Sequence, residues 1–160
     1  MIEPRVYSWI EPGRIAVAER PGGGGRTNRR DRRADELAWW HAQGVRGIVS
    51  GMRSRHGLVE YGLAGFAYRW HPLTDPQAAP GQARTLVASA LDLAAEVPVL
   101  VHVDHPGEWL AGVAALLRLA TGAAGDPRDA LLAAAADGIA VGPLALHIVE
   151  PPPPVLAAAA

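Results

Sequence analysis

Apolar and polar positions alternate in two short stretches near the N-terminus. Residues 6–10 and 14–18 read as strands, with Pro12-Gly13 as the turn between them. The period then changes. Over residues 35–43, Leu37 and Trp40 fall at the core-facing spacing of a helix, and Gly44 supplies the stop. Residues 45–50 predict a strand leaving that helix, and residues 58–63 a short turn or helix. Residues 66–70 predict a further strand that ends at His71-Pro72. Pro80 opens a helix that runs to residue 96, with Leu86, Ala90, Leu93 and Ala94 on one face. Residues 97–103 are apolar but for His102, the pattern of a central strand covered on both faces. Residues 109–121 predict the next helix. Asp126 caps another through Ala136, with Pro127 at its first position and Gly138 just past its end. Residues 144–149 end the fold.

Strands alternating with helices imply an α/β sandwich, a central and mostly parallel sheet flanked by helices. The 160 residues suit one domain, here spanning 1–150, followed by a Pro/Ala-rich extended tail over 151–160. The apolar share, 49%, is enough for a real core. The first residues carry no apolar signal core, and the apolar run over 109–117 is too short to cross a bilayer. A soluble, cytoplasmic protein is the expectation. The net charge of −1 gives no global attraction to nucleic acid or an anionic membrane. The absence of cysteine excludes disulfides, thiolate nucleophiles and thiolate metal sites. One local charge cluster stands out: Arg26, Arg29, Arg30, Arg32 and Arg33, after a run of glycines. Its simplest reading is a solvated, mobile loop; its sharper one is a basic lip that attracts an anion. No aromatic residue interleaves the arginines, which disfavours single-stranded nucleic acid.

Ligands of open α/β sheets sit at the carboxyl ends of strands, so the loop after residue 103 is the place to look. Four segments around it carry a resemblance. They are Trp9-Ile10-Glu11-Pro12-Gly13-Arg14-Ile15, the stretch from Asp35 through Gly44 to Ser50, Tyr68-Arg69-Trp70-His71-Pro72-Leu73-Thr74-Asp75 before Pro80, and Leu100-Val101-His102. In order and spacing the chain resembles the dual-specificity branch of the protein tyrosine phosphatases, from about residue 9 to about residue 150. The resemblance implies that family's α/β fold, places Asp75 in the segment of the general acid, and puts His102 at the start of the signature loop.

That loop departs from the family pattern of His-Cys, five residues, Arg, then Ser or Thr. Val103 stands in the cysteine position, Trp109 in the arginine position and Leu110 in the hydroxyl position. Valine has no nucleophilic atom, and indole cannot clamp phosphoryl oxygens in a bidentate fork. Asp104 and Glu108 add two carboxylates, which repel a bound phosphate by roughly 4 kcal/mol per unit-charge pair at about 4 Å near a protein surface. Cysteine-dependent phosphoryl transfer is therefore not expected.

Three readings of the altered loop compete. In the first, Asp75, His102, Asp104, His105 and Glu108 form an acid–base site for a small organic substrate, with Trp70, Gly107 and Trp109 binding it. Isomerisation, elimination, cyclisation or hydrolysis would suit such a site, with no cofactor. In the second, His102, Asp104 and His105 ligate a metal, in partial likeness to the His-x-Asp-His segment of metallo-β-lactamases. In the third, the domain is a pseudophosphatase that binds a protein partner or small molecule, with Asp104 merely capping the next helix. His41 and His56 read as surface residues, and His147 as packed in the final apolar segment.

Overall fold

The computed structural model describes residues 3–23, 30–105 and 107–151. The chain opens on a hairpin, β1 (Tyr7–Glu11) and β2 (Ile15–Glu19). Its turn is closed by Gly13 at a φ of 74°, a left-handed conformation that glycine adopts without penalty. Next come α1 (Arg30–Ala42), β3 (Gly47–Ser50), α2 (Leu58–Leu63), β4 (Ala67–Trp70) and α3 (Ala79–Ala94). β5 (Val99–Val103), α4 (Glu108–Thr121), α5 (Pro127–Ala136) and α6 (Pro143–Val149) complete it. The sheet has five strands in the order β1-β2-β5-β3-β4. Only β1 is antiparallel to its neighbour; the remaining pairs are parallel. The expected α/β sandwich with a mostly parallel, helix-flanked sheet is what the chain forms.

β5 lies in the middle of the sheet, and strand alternation divides its side chains between two cores. Val99, Val101 and Val103 enter a core shared with α3, α4, α5 and α6. Leu100 enters the core shared with α1 and α2, which also holds Trp40, Ile48 and Tyr61. All five residues of β5 are buried, which is why they read as one apolar run broken only by His102. On the larger side α4 and α6 approach closely because position 112 is glycine. A Cβ there would lie 2.6 Å from Ile148 Cδ1.

The predicted elements match in kind, with one shifted boundary that matters. α1 begins at Arg30, five residues before the predicted start, so Arg30, Arg32 and Arg33 belong to a helix and not to a mobile loop. Ion pairs explain the difference. Arg32 Nε donates to Glu36 Oε1 at 2.7 Å one turn along, and its Nη2 donates to Glu19 at 3.1 Å. Arg33 is buried and forks onto the Glu60 carboxylate of α2. Such partners hold a polar turn in place without an apolar period to announce it. Arg26 and Arg29 lie outside the described residues, as does the tail over 152–160. Asp126 caps α5 as its sequence predicts, accepting the Asp129 N–H at 2.9 Å. His147 departs from expectation: it is exposed on α6, 3.9 Å from the Glu150 carboxylate.

Candidate active-site loop

The loop joining β5 to α4 sits where the carboxyl ends of β2, β5 and β3 meet, at one wall of a cavity of about 530 Å³. Gly107, Trp109 and Val103 form that wall, and Leu73 and Leu144 face them from the segment after β4 and from α6. Gly51 also borders the cavity. A Cβ at position 51 would lie 2.8 Å from Leu86 Cδ1 and 3.2 Å from Val103 Cγ1, so packing demands the missing side chain. Val103 itself is only 2% exposed.

Both loop carboxylates are already engaged. Asp104 Oδ2 accepts the backbone N–H of Arg53 at 3.0 Å, and Asp104 Oδ1 lies 3.6 Å from the Arg20 guanidinium. Glu108 Oε1 accepts the N–H of Leu144 at 2.9 Å, so it supplies the first turn of α6 with a partner that no residue of that turn provides. Glu108 also opens α4, where a negative charge is favoured by the helix dipole. His105 is exposed at the cavity mouth.

Three predicted site residues lie elsewhere. His102 precedes Val103 on a strand, so its ring points to the opposite face of the sheet, fully buried beside Trp40 and Tyr61. Its Nε2 shares a 2.8 Å hydrogen bond with the Tyr61 hydroxyl. Burial pushes the imidazole down from 6.5 to about 4, so it is neutral at physiological pH. Burial likewise raises the Tyr61 phenol. Asp75 is exposed, is not among the cavity-lining residues, and turns its Oδ1 to the N–H of Gln77 at 2.9 Å. Trp70 donates from Nε1 to the Met52 carbonyl at 2.8 Å and lies under the Arg55 guanidinium, 4.8 Å from the ring centroid. The structure thus gathers Asp104, His105, Gly107, Glu108 and Trp109 at one cavity and leaves His102, Asp75 and Trp70 outside it.

The metal reading loses its ligand set on the same geometry. His102 is buried against Trp40 and Tyr61, away from the cavity, and among the described residues no three His, Asp or Glu side chains converge to hold an ion. Sequence reasoning missed Arg53, whose guanidinium donates to the Thr74 carbonyl at 3.1 Å while its own N–H holds Asp104. It also missed Arg20. Neither belongs to a motif; only strand register brings them to the loop.

No family model matches the sequence, and no match is found among curated proteins. Solved structures do match. PTPMT1 in complex with PI(5)P superposes with a TM-score of 0.64 at 17% identity, over 89% of this chain and 91% of that one. The chain has the protein tyrosine phosphatase fold. The active form of Tk-PTP gives a TM-score of 0.61 at 16% identity, over 91% and 93% of the two chains. The kinase associated phosphatase, with its catalytic-site cysteine replaced by serine, gives 0.58 at 18% identity over 92% of each. The phosphatase fold therefore spans nearly the whole length of this chain, with a valine at the end of its central strand. Among the described residues, no helix is long and apolar enough to cross a membrane.

Proposed function

We propose that this phosphatase-fold domain performs no cysteine-dependent phosphoryl transfer and serves as a binding module, with the loop after β5 as its recognition site. One observation carries the reading. The side chain at the end of β5 is a buried valine, and the two carboxylates of the loop are hydrogen-bonded into the scaffold in place of a free reactive constellation. A nucleophile needs a lone pair presented to the substrate, and Val103 has none. A binding site needs only a shaped cavity with a few polar groups, and the cavity walled by Trp109, Leu73 and Leu144 has both.

The direct test is hydrolysis of p-nitrophenyl phosphate and of a phosphotyrosine peptide by the purified protein, with Val103→Ala as control. Both proteins should stay at the buffer background. Vanadate-sensitive turnover by the native chain, lost in the variant, would sink the proposal.

A second reading keeps some catalysis. His105 is exposed at the mouth of a cavity of a small molecule's size, where its ring nitrogens could donate a proton to a bound substrate or accept one from it. On that reading the domain is an acid–base enzyme on a small organic substrate, and the substrate's turnover would depend on His105.

A further inference from the structure

Parallel pairing sets what surrounds Asp104. Glu19, the last residue of β2, is in register with Val103, so Arg20 and Asp104 leave the sheet side by side. On the other flank Ser50 of β3 is in register with His102, and the chain runs on to Arg53. Asp104 therefore sits between the carboxyl ends of two neighbouring strands, each of which sends it a donor. Arg53 gives a backbone N–H at 3.0 Å from Oδ2, and Arg20 gives a guanidinium 3.6 Å from Oδ1. The Arg20 side chain is only 13% exposed, and among the described residues it has no other ion-pair partner. A largely buried cation and a fixed amide, from two separate loops, converge on a single anionic group.

We propose that Arg20 and the Arg53 N–H form an oxyanion site that Asp104 fills from within. This inference rests on the reading that the loop does not turn over phosphate esters. A carboxylate tethered in its own loop is present at an effective concentration in the millimolar range or higher. A free anion must displace it and then meet its charge at close range. The site is therefore self-occupied in the native chain, and small oxyanions are held off by competition as well as by repulsion. Removing the charge weakens the tethered competitor's hold on both donors and opens the site to a free anion.

Asp104→Asn does this, and isothermal titration with inorganic phosphate reads the result. The variant should bind phosphate roughly tenfold tighter than the native chain or better, since one close unit charge has been removed. Adding Arg20→Leu should abolish the gain. Asp104→Ala provides a second opening in case the new amide turns its NH₂ toward Arg20. Circular dichroism confirms that each variant is folded. The inference is overturned if both folded variants bind phosphate no tighter than the native chain, or if the gain survives loss of Arg20. Turnover by the native chain, a separate readout, bears on the binding-module reading and leaves these affinity ratios to be judged independently.

Discussion

His102 shows how much one residue's place on a strand decides. Its neighbour Val103 borders the cavity, so a side chain one position earlier must face the other way, under Trp40 and against Tyr61. There it is a packed, neutral imidazole and not an acid–base group. Its influence is on stability. The folded ring takes up a proton only near pH 4, whereas the unfolded chain does so near 6.5. Above 6.5 neither state is protonated and the contribution is intact. As the pH falls from 6.5 toward 4 the unfolded chain alone gains the proton, and stability declines by up to about 3 kcal/mol from this group. Denaturant melts across that window should show a steeper acid loss for the native chain than for His102→Gln. Parallel slopes for the two proteins would contradict the assignment. The residues that do gather at the cavity, Asp104, His105, Gly107, Glu108 and Trp109, were legible because so short a stretch of sequence keeps its members together whatever their orientation. Asp75 and Trp70 were placed by resemblance to a family segment, and their own local partners, Gln77 and Met52, hold them elsewhere.

At the scale of elements, periodicity was a good guide wherever apolar packing sets the helix or strand, as in α3, β5 and α4. It failed at the start of α1 because that turn is fixed by guanidinium–carboxylate pairs, which leave no hydrophobic period. The cap of α6 was equally hidden, since its acceptor comes from α4, 36 residues away in sequence. That cap makes a prediction. Glu108→Ala should cost about 1 kcal/mol in urea unfolding, the usual value of a lost helix cap, while Glu108→Gln, which retains an acceptor, should cost less. Gly142 sharpens it, because a Cβ there collides with the Glu108 carboxylate. Gly142→Ala should therefore destabilise the native chain more than it destabilises Glu108→Ala, a non-additivity that a double-mutant cycle measures. Additive costs would mean that the two residues do not meet.

Across the whole molecule, β5 is paired on both edges and buried on both faces, while β4 has one edge unpaired among the described residues and exposed side chains at Ala67 and Tyr68. Native-state hydrogen exchange should therefore find the β5 amides of Leu100 to His102 exchanging only through global unfolding. The outer amides of β4 should exchange through smaller openings. Equal protection in the two strands would show that the sheet opens as one unit. This arrangement also separates two duties. The α1–α2 side holds the neutral His102–Tyr61 pair and the Arg33–Glu60 fork, both structural, while the β5–α4 loop with Leu73 and Leu144 holds the cavity.

The bond from Leu144 to Glu108 has a further consequence, for anyone who shortens this chain. Residues near the end of a sequence are usually the safest to trim. Here the last described helix is part of the cavity's architecture: it lends Leu144 as a wall and takes its cap from Glu108 at the start of α4. A cut placed before residue 144 would look like the tidying of a terminus and would in fact dismantle one side of the cavity.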